Sequence, residues 1–167
     1  MGIFFVLCGC VEKPFTINNV EKPFTNKELV EMFARRQLDA REKEPGVIVT
    51  LPETVFFAFA SADLSPPARQ KIDAIAEVLN HSRAVQRQIA VVGHADAIGT
   101  EEANLALSQR RAEAVSQELI ANRVRRERLR AQGMGESSPI APNTKPDGSD
   151  NPEGRAKNRR VEVIISQ

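Results

Sequence analysis

Between Ser65 and Gly133 the apolar residues alternate between two spacings, and this alternation limits the architecture more than any other feature of the chain. Ala68, Ile72, Ile75, Ala76 and Leu79 recur at the 3.6-residue period of a helix with one apolar face. Gln88-Ile-Ala-Val-Val-Gly93 is an apolar run of strand length. Leu105, Ala112, Val115 and Leu119 return to helical spacing from Asn104 to about Asn122, and Arg128-Leu-Arg-Ala-Gln-Gly133 is again a short strand. Helices with a single apolar stripe must bury it, and strands of this kind supply the surface.

The flanks extend the pattern. Val47-Ile-Val-Thr-Leu51 is β-branched, Val55-Phe-Phe-Ala-Phe59 alternates as a second strand segment beyond Pro52, and Arg160 to Ser166 closes as an alternating strand. Ser65-Pro66-Pro67 starts the first helix, with Ser as N-cap and Pro in the first turn. Ser137 to Lys157, rich in Pro, Gly, Asn and Asp, reads as a long loop. The expected fold class is α+β: a βαβαβ-β layer with helices on one face of a mixed four-stranded sheet.

Residues 1–46 differ in texture. Thr25-Asn-Lys-Glu28 has the form of a capping box, and a helix with an incomplete apolar stripe is expected to about Lys43, stopped by Pro45-Gly46. It reads as a linker helix, loosely docked or free. Val11-Glu-Lys-Pro-Phe-Thr16 recurs as Val20-Glu-Lys-Pro-Phe-Thr25, a short duplication suited to an extended tether. Residues 1–10 are apolar and end in Leu7-Cys8-Gly9-Cys10, which resembles a bacterial lipobox and makes Cys10 a lipidation candidate; without a basic flank the segment looks like a truncated signal. An accidental apolar terminus or a misplaced start codon accounts for the same residues. The expected organisation is 1–10 signal, 11–46 tether and linker helix, and 47–167 folded domain.

Composition narrows the function classes. No run approaches the ~20 apolar residues of a spanning helix. Lys and Arg number 23 against 22 Asp and Glu, so the basic excess of a nucleic-acid binder is missing. Trp and Tyr are absent, which leaves few stacking platforms. Two cysteines, both near the N-terminus, allow neither a disulfide framework nor a four-cysteine zinc site.

The densest polar constellation runs from Gly93 to Arg111. Gly93-His-Ala-Asp-Ala-Ile-Gly99 leaves the end of a buried strand, and Asn104, Ser108 and Arg111 fall on one stripe of the helix that follows. Asp96 and Arg111 can thus face a common hollow with Asn and Ser groups between them. That set suits a zwitterion: the guanidinium takes a carboxylate through paired hydrogen bonds, and Asp96 takes an ammonium. The same spacing equally allows Asp96 and Arg111 to pair with each other and tie loop to helix.

From about Phe57 to Val163 the chain resembles the OmpA C-terminal-like family, which includes the peptidoglycan-associated lipoproteins. The resemblance is carried by Gly93-His-x-Asp96, Gly99, Asn104-x-x-Leu107-Ser108-x-x-Arg111-Ala112-x-x-Val115, Gly133-x-Gly135-Glu136 and Asn158-Arg159-Arg160-Val161-Glu162. It implies non-covalent, non-catalytic binding of peptidoglycan, with Asp96 and Arg111 gripping the amino and carboxylate groups of diaminopimelate in the peptide stem. Asn104 and the Asn-Arg-Arg segment, with Arg159 and Arg160, would help form that pocket. Periplasmic exposure, an outer-membrane lipid anchor and possible envelope protein partners follow from the same resemblance. Three departures stand out: Ala95 where the family usually has Thr, Asn122-Arg123 where it favours Gly, and a longer loop from Pro142 to Lys157.

Rival readings are poorer. His94, Asp96 and Ser108 are the residue types of a hydrolase triad, but no G-x-S-x-G elbow surrounds Ser108. His94 and Asp96 lack further ligands for zinc or calcium, so no metal or other cofactor is expected. Arg123, Arg125, Arg126, Arg128 and Arg130 carry no interleaved aromatic residues and read as a solvated helix end, not a nucleic-acid surface.

Overall fold

Thr25 opens the fold as its sequence demands. In the computed structural model, which describes residues 21–58 and 61–166, its hydroxyl accepts the Glu28 amide at 3.2 Å. The Glu28 carboxylate in turn accepts the Thr25 amide at 2.7 Å. Cys10, the lipobox-like segment and the first repeat copy lie outside the described residues.

The capped helix α1 (Asn26–Ala34) is shorter than expected and is not a free linker: Leu29 and Phe33 are completely buried. The second repeat copy does not end in free tether either. Phe24 is buried, its amide donates to Arg83 O at 3.1 Å, and the Arg83 guanidinium lies 4.1 Å above its ring. The folded unit therefore begins well before Val47. Gln37, at φ 56°, reverses the chain into β1 (Asp39–Lys43), where the sequence suggested continued helix. Its run of charges suits an exposed edge strand, since charged side chains there discourage pairing with another chain.

β1 pairs antiparallel with β2 (Gly46–Pro52). With β3 (Gln88–His94), β4 (Leu129–Gly133) and β5 (Arg160–Ser166) the sheet has, among the described residues, five strands where four were expected, in the order β1-β2-β5-β3-β4. Only β3 and β4 are parallel. The inward residues Val47, Val49, Leu51, Ile89, Val91, Val161, Val163 and Ile165 form one core with α1, α3 (Pro66–Leu79) and α4 (Glu101–Ala121). The α+β class with helices stacked on a mixed sheet holds.

Two further segments depart from expectation. β2 loses its partner where β5 begins, at the Pro52–Arg160 pair, so the chain turns there into the one-turn helix α2 (Glu53–Phe56) instead of a second strand. The long loop contains α5 (Pro152–Asn158), capped by Asn151, whose side chain accepts the Gly154 amide at 3.1 Å.

Two glycines set how closely α4 approaches the sheet. A Cβ on Gly93 would stand 2.1 Å from the Ser108 carbonyl oxygen, and one on Gly133 2.5 Å from the Gln109 amide nitrogen. This intimate seating turns the Asn104, Ser108 and Arg111 face inward and leaves Leu105, expected in the core stripe, half exposed. At the far end of α4 it is Arg123, not Asn122, that adopts the left-handed conformation, at φ 68°.

Candidate functional site

A cleft of about 600 Å³ opens where α2, the loop after β3, the N-terminal half of α4 and the end of α5 meet. Asp96, Asn104, Arg111 and Arg159 all line it, as the sequence suggested. The Asp96 backbone is held by Asn104, whose side-chain amide donates to Asp96 O at 3.1 Å and to Glu136 Oε2 at 2.7 Å. Asp96 Oδ1 accepts the Ile98 amide at 3.1 Å, a turn that aims the carboxylate into the cleft.

Asp96 and Arg111 do not pair with each other among the contacts of the described residues. Asp96 Oδ2 accepts from Arg159 Nη1 at 2.6 Å, with Arg155 Nε 3.5 Å away. Arg111, only 2% exposed, donates from Nε to Ser61 O at 2.9 Å and from Nη2 to Glu53, and its guanidinium lies 5.2 Å from the Phe57 ring centre. Arg159 also donates to Glu53 through Nε. The result is a chain of alternating sign, Asp96–Arg159–Glu53–Arg111. Burial pulls the Arg159 guanidinium down, and the hydrogen bonds to Asp96 and Glu53 outweigh it, so the group stays above its ordinary value and fully charged.

Two expected site residues stand elsewhere. Ser108 is completely buried beneath the cleft, donating to Leu105 O and accepting the Gly135 amide, both at 2.9 Å. It anchors the Gly133–Gly135 turn to α4. Arg160 points to the other side of the sheet, where Nε donates to Glu162 Oε1 at 2.9 Å, because side chains alternate along an extended backbone. Conversely, Glu53 and Arg155 line the cleft and were not singled out from sequence. Asn151-Pro152-Glu153 is a helix-start signal that could have revealed α5 and hence Arg155; Glu53 carries no local signal.

Among the described residues the groups named for the rival chemistries are not brought together. His94 packs beside Glu162, Asp96 pairs with Arg159, and Ser108 bonds Gly135, so the three point to three different partners. Among the described residues no three His, Cys, Asp or Glu side chains gather as a metal-binding group. Within the basic cluster Arg128 is buried and donates to Leu79 O, Ala84 O and Arg87 O, clamping the turns after α3. A wider groove of about 760 Å³ runs between α4 and the β4 edge. There Gln109 Oε1 accepts the Gly133 amide at 2.6 Å and Arg130 Nη1 donates to Leu129 O at 2.9 Å.

Three guanidiniums and two carboxylates therefore converge on one cleft, in a fold that recurs among known proteins. The chain is 30% identical to the cell wall anchor of the T6SS from Pseudomonas aeruginosa over 88% of this chain and 100% of that one, with a TM-score of 0.66. The peptidoglycan-associated lipoprotein from Burkholderia pseudomallei superposes with a TM-score of 0.56 at 28% identity, over 70% of this chain and 89% of that one. Outer membrane protein A of Bordetella avium is 40% identical over 111 residues, 66% of this chain and 53% of its own length. The chain spans from 15% to about half of the length of the curated relatives it matches. The model of the OmpA family matches residues 56–155, a span that contains α4, the loop bearing Asp96 and most of the cleft, and with more than half its length so matched the chain belongs to the OmpA family.

Proposed function

We propose that the chain binds peptidoglycan non-covalently through the diaminopimelate of the peptide stem and so ties the outer membrane to the cell wall. The observation that carries this reading is that Asp96 and Arg111 face one cleft without pairing to each other. Each is paired with a neighbour instead, Asp96 with Arg159 and Arg111 with Glu53, so a zwitterion binds by exchanging partners with that chain of charges. The tip of diaminopimelate bears an ammonium and a carboxylate on one carbon. The ammonium suits Asp96, and the carboxylate suits Arg111 with Arg159 beside it. A lysine-type stem has the amine without the carboxylate and leaves Arg111 with no new partner, which is the physical basis of discrimination. Binding, not bond cleavage, is the activity.

Lipid attachment at Cys10 belongs to the same proposal and places the domain on the periplasmic side of the outer membrane; without the lipid, the domain is periplasmic. A second reading, a wall-anchoring module of a larger envelope or secretion complex, is favoured by the likeness to the T6SS cell wall anchor. Partner docking on the apolar face of α1 does not fit it, because Leu29 and Phe33 are spent on the chain's own core.

Calorimetric titration with a diaminopimelate stem peptide beside a lysine-stem control tests the binding reading. Binding of the first alone is expected, and equal affinity for both contradicts it. Asp96→Ala and Arg111→Ala are expected to abolish sacculus pull-down; retention by both variants refutes the site. Mass spectrometry of the native N-terminus decides lipidation, since an unmodified Cys10 ends that part.

A further inference from the structure

Glu53 occupies the place in the cleft where a ligand carboxylate would have to sit. Its backbone is fixed at the end of β2: the amide donates to Arg159 O at 3.0 Å, and the carbonyl accepts the Phe57 amide at 2.9 Å. From that anchor the side chain reaches inward, and its two oxygens are divided between Arg111 and Arg159. Its side chain is 14% exposed, against 2% for that of Arg111. A guanidinium as buried as Arg111 is destabilising without an anion beside it. Glu53 supplies that anion.

We infer that Glu53 is an internal stand-in for the ligand's carboxylate, seated on Arg111 and Arg159 in the free protein and displaced when a zwitterionic amino acid brings its own. This rests on the wall-binding reading and adds a gate to it. Arg111 never loses a counter-ion, because one carboxylate replaces another. Displacement swings out the more exposed partner, whose backbone need not move. The observed affinity is then the intrinsic affinity reduced by the fraction of molecules in which Glu53 has left its seat. A ligand with an ammonium and no carboxylate cannot evict Glu53, so the gate sharpens the preference for a diaminopimelate stem over a lysine stem. Asp96, at the other end of the chain of charges, needs no gate. Its Oδ2 is held by Arg159 while its Oδ1 accepts the Ile98 amide, so an ammonium can approach Oδ1 without displacing a guanidinium.

The test follows the Glu53 side-chain carboxyl by ¹³C NMR in the full chain, with free meso-diaminopimelate as one probe and, as the other, Nα-acetyl-lysine methylamide, which has an ammonium and no carboxylate. Saturating diaminopimelate is expected to move the Glu53 carboxyl signal to that of a solvated glutamate and to shift the Arg111 Nε–H resonance; the blocked lysine moves neither. Glu53→Gln, which keeps the shape and removes the charge, is expected to bind diaminopimelate at least about threefold more tightly. Glu53→Ala opens the seat to small anions, so acetate should raise its thermal midpoint and compete with diaminopimelate, with no such effect on the wild type. Diaminopimelate bound with Glu53 still on Arg111 overturns the inference alone. So does a Glu53→Gln protein that binds more weakly together with a Glu53→Ala protein indifferent to acetate. No binding of diaminopimelate by either the wild type or Glu53→Gln sinks the wall-binding reading and this inference with it. Should both variants fail to fold, the wild-type spectra decide by themselves.

Discussion

Arg159 and Arg160 are consecutive in the chain, yet their guanidiniums serve opposite sides of the fold. Arg159 Nη1 lies 2.6 Å from Asp96 in the cleft, and Arg160 Nε lies 2.9 Å from Glu162 on the outer face of the sheet. One side chain lines the cleft and its neighbour braces the far side of the sheet. Arg159→Ala is expected to weaken binding to sacculi by about tenfold or more, with a smaller loss of stability than Arg160→Ala because Glu53 keeps Arg111 and Asp96 keeps Arg155. Arg160→Ala strands Glu162 without its nearest guanidinium and is expected to lower stability by about 3 kcal/mol while the folded protein binds as before. Urea denaturation and sacculus cosedimentation separate the two effects, and an exchange of roles contradicts the assignment.

Glu162 makes acid the natural probe of that outer cluster. It is 6% exposed, and its carboxyl is drawn from an ordinary 4.5 to about 2 by the His94 ring first and by Arg160 after it, against a burial that pushes it up. A carboxyl with a folded pKa below its unfolded one takes up its proton more readily on unfolding. Its stabilisation is complete above about pH 4.5 and vanishes as the pH falls toward about 2. Glu162→Gln should therefore flatten the acid limb of a plot of Tm against pH across that window. A variant whose acid limb stays as steep as that of the wild type rules out Glu162 as its source.

Gly93 is needed for lack of a side chain, not for an unusual backbone angle. A methyl group there would stand 2.1 Å from the Ser108 carbonyl oxygen, which is backbone and cannot step aside. Gly93→Ala should push α4 off the sheet, at a cost of at least about 3 kcal/mol. Binding should fall as well, because Asn104 and Arg111 ride on that helix. A folded variant of undiminished stability means the helix has more room than this seating allows.

Arg123 offers a change in the opposite direction. Its φ of 68° at the end of α4 is a conformation that a β-carbon resists and glycine adopts freely. Arg123→Gly is expected to stabilise the protein by about 1 kcal/mol, visible as a rise in thermal midpoint without change in binding. A fall would show that the Arg123 side chain contributes more than its backbone strain removes.

Much of this molecule is legible in its residue order. The apolar periods of α3, β3 and the second half of α4 are local properties, and they survive in the fold. So does the Thr25 capping box, which spans a single turn. β1 leaves no trace because an exposed edge strand requires no apolar alternation, so Asp39-Ala-Arg-Glu-Lys43 resembles a solvated helix surface as readily as a strand. The core stripe of α4 misleads for a different reason. The polar face Asn104–Ser108–Arg111 is the buried one in its first half, since Gly93 and Gly133 admit it and loop carbonyls and carboxylates satisfy it.

By itself the sequence determined the alternation of helix and strand, the loop that bears Asp96, and the helix that bears Asn104 and Arg111, because each depends on residues a few positions apart. Only the tertiary structure decided which charges meet. Glu53 and Arg159 stand 106 residues apart and touch because the β2–β5 register ends at Pro52 and Arg160, bringing α2 and α5 to one corner of the sheet. Electrostatic attraction acts on distance through space, and the order of the chain carries no such distance until the sheet is built.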